Sequence, residues 1–380
     1  MISATSSRRP SLADVLPSSL NAVRGRNNFL SLPPVNRAVV LLVDGLGVSS
    51  LRARMGHART LAAALTKSSV AIAGCPTTTA SNIATLTTGV APGVHGLVGY
   101  TVLDPLNDRI INQLSGWDDK VDPATWQRVP TVFEEAALYG VQSVVVAQER
   151  YRDSGFTRAV LRGANYSAGK SIADRFSSAR MALDKMDKGL VYIYVPELDQ
   201  TAHSHGWESR LWTEWLENLD GELGQFVRSL KADEGLLVTA DHGVIDVPAH
   251  SHVLFGEDPD LVDGIRFVAG EPRCLQLHFE PDASPALRKK ILERWKGAEG
   301  DRSQVLERHE VISGGWFGSS VHADVAPRIG DILVAARKAV AYYDTRSESQ
   351  AGRLMIGQHG SFSSEEKTVP LVRFGAFTVR

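Results

Sequence analysis

The sequence predicts an α/β fold: a doubly wound, mainly parallel sheet sandwiched by helices, with a small inserted α+β cap. Three observations predict it. Continuous apolar runs such as Ala38–Val43 and Leu190–Val195 read as strands covered on both faces, the habit of a parallel sheet. These runs alternate with helical periods over Ser171–Met186 and Leu211–Leu230. From about His250 to Val325 charge rises, and Pro and Gly punctuate short strands around one helix, as in a module set into a larger core.

With 380 residues, 43% of them hydrophobic, the chain can bury one large core and a smaller one. The expected division is an irregular leader over 1–36, with a short helix within Ser11–Leu20, a core over 37–249 and 326–380, and the cap over 250–325. A net charge of −2 gives no electrostatic case for nucleic acid or an anionic membrane. No run approaches the roughly 18–20 apolar residues of a membrane span. The polar start, Met1–Pro10, leads into no long apolar stretch, so a cytoplasmic protein is expected. Two cysteines, Cys75 and Cys274, are too few for a disulfide framework. Oligomeric state is not legible.

Taken in order, Arg37–Val43 ends in Asp44-Gly45, placing Asp44 at a strand's carboxyl end, where open α/β sheets bind ligands. A helix over Thr60–Leu65 and a strand over Val70–Ala73 lead to Gly74-Cys-Pro-Thr77-Thr78-Thr79-Ala-Ser81-Asn82, then a helix closed by Gly89. A strand entering a hydroxyl-rich turn and then a helix sets alcohols over free backbone N–H groups, a site that suits phosphate. Thr and Ser there also serve as helix caps. Pro105–Val129 reads as an irregular pocket rim, Thr131–Tyr139 as a helix and Gln142–Ala147 as a strand.

After the strand Leu190–Val195, Asp199 and His203 stand four apart, so one helical turn faces both the same way and they can grip one metal. His205, six on from Asp199, points elsewhere. Trp212, Trp215, Leu216, Leu219, Leu223 and Phe226 form a core stripe on the following helix. Leu236–Ala240 delivers Asp241-His242-Gly243 at another strand end. His250 and His252 read as a solvated loop in the cap. The core resumes at Asp331–Ala336, and a Gly-bounded turn near the end carries His359.

Asp44, Asp199, His203, Asp241, His242 and His359 supply three carboxylates and three imidazoles. That donor mixture suits Zn²⁺, and the number suits two divalent metal ions in one cleft. No cysteine joins them, which excludes a structural zinc ribbon. Two ions about 4 Å apart suit in-line phosphoryl displacement. A threonine hydroxyl needs such activation to act as a nucleophile.

These residues, in this order from about Arg37 to Gly360, resemble the alkaline phosphatase superfamily, and within it the type I phosphodiesterase/nucleotide pyrophosphatase branch. The resemblance implies Thr79 as nucleophile, the hydroxyl three before Asn82, with Asn82 helping to hold a phosphate oxygen. It implies one metal on Asp199, His203 and His359 and another on Asp44, Thr79, Asp241 and His242. It implies a phospho-threonine intermediate and a small phosphodiester or nucleotide as substrate. Ala80-Ser81 replaces the family's usual Phe-Pro, which leaves Thr77, Thr78 and Ser81 as rival hydroxyls. Phosphomonoester or phosphonate C–P hydrolysis would use the same site, and a non-catalytic binding module would keep the same fold.

Overall fold

Seven strands form the central sheet of the computed structural model, which describes residues 9–378. Their spatial order is Val70–Ile72, Thr368–Gly375, Glu234–Thr239, Arg37–Val43, Gly189–Val195, Gln142–Ala147 and Asn165–Ala168. All run parallel except Thr368–Gly375, which is antiparallel to both of its neighbours. Arg37–Val43 lies between Gly189–Val195 and Glu234–Thr239 and is buried from Ala38 onward, which explains its unbroken apolar run. Helices Ile172–Lys185 and Arg210–Ser229 pack on this sheet through Phe176, Leu183, Trp212, Leu216 and Leu223. Among the described residues no helix is long and apolar enough to cross a membrane.

Two elements depart from the sequence reading. The segment before Arg37 is not an irregular leader over its described part. Leu12, on a 3-10 turn over Leu12–Asp14, and Val15, Leu16, Leu20 and Val23, on a helix over Val15–Val23, lie in the main core. Residues 1–8 lie outside the described residues. Second, Ile332–Ala336 does not rejoin the central sheet. It pairs antiparallel with Ser303–Glu307 and Cys274–Phe279 in a six-stranded sheet, which continues through Ile265–Glu271 to Thr101–Asp104 and Arg109–Asn112. The last of these strands, Arg109–Asn112, falls within Pro105–Val129, where the sequence suggested an irregular rim.

The reason is burial on both faces. Leu333 and Ala335 point into the main core, while Ile332, Val334 and Ala336 meet Trp295 and Ile291 of the helix Pro285–Glu299. An antiparallel strand covered twice reads like a parallel one. We therefore place the second module over the sheet running from Thr101 to Ala336 in space, beyond the 250–325 segment that composition suggested.

Candidate active site

Three neighbouring strands end side by side. Strands in a sheet lie about 4.8 Å apart, so residues just past their carboxyl ends are brought together without any long-range search. Asp44 follows Val43, Asp241 follows Thr239 by two, and Asp199 opens the helix Glu197–His205 after Val195. Asp44 N–H donates to Val195 O at 2.9 Å, and Gly45 N–H to Asp241 Oδ1 at 3.3 Å. Gly45, at φ 71°, has no room for a side chain: a Cβ would lie 2.9 Å from the Asp199 Cβ.

Two groups of potential ligands result, Asp199/His203/His359 and Asp44/Asp241/His242, each with its donor atoms within 4.8 Å of one another. The helical spacing works as expected, with His203 Nε2 3.1 Å from Asp199 Oδ2. His242 Nε2 lies 3.4 Å from Asp44 Oδ1 and 3.5 Å from Asp241 Oδ2. His359 arrives on the turn after Gly357–Gln358, which pairs with Ile245–Asp246, and its ring stacks on His242 at 3.7 Å.

All three imidazoles are oriented alike. Nδ1 of His203, His242 and His359 lies 2.8, 3.2 and 2.8 Å from the carbonyls of Gly357, Gly243 and Thr77. A carbonyl only accepts, so Nδ1 carries the proton and Nε2 keeps its lone pair for the site. Burial pushes His242 down to about 4 and, with the neighbouring His242, pushes His359 down to about 3, so both are neutral near pH 7. Burial also works against charge on His203, but Asp199 outweighs it and raises that imidazole.

The carboxylates are pulled in opposite directions. Burial, with Asp241 and Asp199 nearby, holds Asp44 well above the carboxylate range, and burial and Asp199 lift Asp241 to about 6. For Asp199 burial also raises, but His203 and its fellow imidazoles outweigh it and hold the carboxyl below its ordinary value. Asp44 Oδ1, Asp199 Oδ1 and Asp241 Oδ2 are buried without hydrogen-bond partners. Three orphaned carboxylate oxygens facing three imidazole lone pairs are a donor set that fits two divalent cations.

Thr79 opens the helix Thr79–Thr88, and its Oγ1 lies 3.1 Å from His242 Nε2. Two rival hydroxyls are engaged elsewhere. Thr77 Oγ1 donates to Ser361 O at 2.8 Å and accepts from Gly360 N–H, and Ser81 Oγ donates to Leu97 O at 2.8 Å. Thr78 faces the cavity but touches neither ligand group through a hydrogen bond. Asn82 is not where a phosphate contact would stand. Fully buried, its Oδ1 accepts from Gly74 N–H at 2.7 Å and its amide reaches the Gly74 and Pro76 carbonyls at 3.4 Å, so it staples the turn.

Sequence reasoning missed Tyr194, whose hydroxyl donates to Asp44 Oδ2 at 2.5 Å. It sits inside an apolar strand, and nothing in that run marks it. Tyr194, Tyr192, Tyr151, Tyr166, Phe156 and Tyr100 line a cavity of roughly 700 Å³ that opens onto Thr79, Asp44, Asp199, His203 and His359. Among the described lining residues there is no lysine or arginine.

The α/β sandwich thus gathers two candidate metal-binding groups around one hydroxyl at its strand ends. The model of the type I phosphodiesterase / nucleotide pyrophosphatase family matches residues 38–362, and the chain belongs to that family, which is one of enzymes. Ectonucleotide pyrophosphatase/phosphodiesterase 1 of Saccharomyces cerevisiae is 26% identical over 217 residues, 48% of this chain. A pyrophosphatase/phosphodiesterase of Schizosaccharomyces pombe is 23% identical over 180 residues, 44% of this chain. These matches span only 29% and 36% of those relatives' lengths. The fold is shared with murine ectonucleotide pyrophosphatase / phosphodiesterase 5, at TM-score 0.68, 17% identity and coverage of 88% and 87% of the two chains. It is shared equally with phosphonoacetate hydrolase of Sinorhizobium meliloti, at TM-score 0.69, 17% identity and coverage of 90% and 91%.

Proposed function

We propose that the chain is a two-metal phosphodiesterase acting through Thr79 on a small diester whose organic group is aromatic or apolar, as in a nucleotide. The observation that carries this reading is the Thr79 hydroxyl held at 3.1 Å from His242, between two buried ligand groups. Asp199, His203 and His359 would hold one cation and Asp44, Asp241 and His242 with Thr79 the other; zinc suits these N/O donors. Bound there, the cations supply Lewis-acid stabilisation of phosphoryl charge and lower the pKa of a coordinated hydroxyl.

The chain's own residues do the rest. Thr79 Oγ gives up its proton and bonds to phosphorus as the P–O bond to the leaving group breaks in line. Water then cleaves the resulting phospho-threonine and restores the hydroxyl. The first N–H groups of helix Thr79–Thr88 have no intrahelical partners and address the phosphoryl oxygens. The tyrosine-lined cavity excludes water and offers ring faces to the organic group.

The cavity chemistry favours a monoanionic diester over a dianionic monoester or a carboxylated phosphonate, because no lysine or arginine lines it. The murine relative has been solved in an inactive form with AMP, a nucleotide whose base would suit the ring-lined cavity. The test is hydrolysis of bis-p-nitrophenyl phosphate, p-nitrophenyl phosphate and phosphonoacetate, with added Zn²⁺ and with a chelator. Faster turnover of the diester, abolished by chelation, is expected. Preference for the monoester or the phosphonate would reassign the substrate class.

A further inference from the structure

One buried carboxyl at the cavity belongs to neither ligand group. Glu271 ends the second-sheet strand Ile265–Glu271, is 5% exposed and lines the cavity together with Thr78. Both of its oxygens, and Thr78 Oγ1, are buried without a hydrogen-bond partner. The nearest guanidinium in sequence, Arg273, is committed elsewhere, bonded to Glu366 at 2.8 and 2.9 Å and to the Lys338 and Val340 carbonyls. The backbone makes room for the acid: Gly360, at φ 127°, would place a Cβ 2.3 Å from Glu271 Cγ. Glu271 is thus packed against the turn that carries His359.

Thr78 is equally unspent. It is the N-cap residue of the helix that Thr79 begins, yet its side chain makes no capping bond. An N-cap hydroxyl ordinarily accepts from the first turn, and losing that bond costs stability. Three buried polar atoms left unpaired beside the Thr79 hydroxyl call for a ligand. Burial pushes the Glu271 carboxyl well above its usual range; the Thr78 hydroxyl beside it partly opposes this, and Glu366 adds to it. A neutral acid is a hydrogen-bond donor.

We propose that Glu271 and Thr78 contact the substrate's phosphoryl group, each donating a hydrogen bond to a non-bridging oxygen of a monoanionic phosphodiester. This rests on the phosphodiesterase reading above and extends it, giving the second module a direct hand in recognition. Two neutral donors match one negative charge, and among the described lining residues no lysine or arginine stands ready to meet a second.

The experiment compares Glu271→Ala, Glu271→Gln and Thr78→Val with the metal-loaded parent. Readouts are kcat and KM on bis-p-nitrophenyl phosphate, metal content, and equilibrium binding of that diester in a Thr79→Ala background. Glu271→Ala and Thr78→Val should each lower kcat/KM about 10–100-fold and weaken diester binding about tenfold, with metal content unchanged. Glu271→Gln, whose amide also donates, should stay within about threefold of the parent. Activity and binding within twofold in Glu271→Ala would overturn the proposal, and so would loss of metal from that variant. Glu271→Gln as impaired as Glu271→Ala would overturn it too, because the site would then be using a carboxylate. A parent that cleaves neither ester under any divalent metal overturns the phosphodiesterase reading instead.

Discussion

Replacing Glu366 by alanine should destabilise the protein more than most single changes can. Glu366 and Arg273 are both fully buried, and their two parallel bonds join the second sheet to the segment just after His359. The carboxylate also accepts Ser361 N–H at 3.0 Å and Ser363 N–H at 3.2 Å. Glu366→Ala leaves a guanidinium buried without its counter-charge, which costs about 3–5 kcal/mol. Arg273→Ala should couple to it in a double-mutant cycle by at least about 1 kcal/mol. Burial alone would raise the Glu366 pKa from its ordinary 4.5, but Arg273 outweighs burial and lowers it. A depressed folded-state pKa means stability that is complete above the unfolded value and lost as pH falls through the folded one. The gap between parent and variant in urea denaturation should therefore be full at pH 7 and narrow on acidification below about pH 4.5. A loss under about 1 kcal/mol at pH 7, or a gap that does not narrow in acid, would refute the reasoning.

Thr79→Ala should cost at least about 10³-fold in turnover while metal content is retained, and Thr79→Ser should keep partial activity. Thr77→Ala and Ser81→Ala, whose hydroxyls serve backbone carbonyls, should stay active and lose about 1 kcal/mol of stability. Tyr194→Phe removes the 2.5 Å bond to Asp44 and should weaken metal binding about tenfold or more, read by competition with a chromogenic chelator. Stripping the metals should lower the unfolding free energy by about 2.7 kcal/mol per site, about 5.4 kcal/mol for two independent sites, relative to protein at a hundredfold excess of metal over Kd. A melting midpoint and activity indifferent to chelation would remove the two-metal reading.

The two carboxylate–imidazole groups were legible because their geometry is local. Asp44 and Asp241 follow apolar runs directly, and Asp199 and His203 are one helical turn apart, so strand ends and helical period suffice. Ile332–Ala336 was misplaced because its two faces meet two different cores, and alternation, the usual mark of an antiparallel strand, vanishes. A short helix before Arg37 was legible, since Leu12, Val15, Leu16 and Leu20 repeat at helical spacing, but its burial in the main core was masked by the flanking polar residues. The bonds that Asn82 makes to the turn were not legible, because an amide there can serve ligand or backbone and sequence does not distinguish them. Glu271 and Tyr194 were invisible, since what makes each notable is a neighbour distant in sequence.

The order of the central sheet has a consequence for synthesis. Val70–Ile72, which leads to the Thr79 turn, has Thr368–Gly375 as its ladder partner, and that strand alone links it to Glu234–Thr239. Between Thr239 and Thr368 the ribosome adds about 130 residues, about 7–25 s of translation at roughly 5–20 residues/s. Throughout that interval Glu234–Thr239 presents an unpaired edge to other nascent chains. His359 is also made in that interval, so the Asp199/His203/His359 group cannot be completed before it ends. On arrival the strand Thr368–Gly375 pairs with Glu234–Thr239 and Val70–Ile72 together, closing that side of the sheet and fixing the strand that leads to the Thr79 turn in one step.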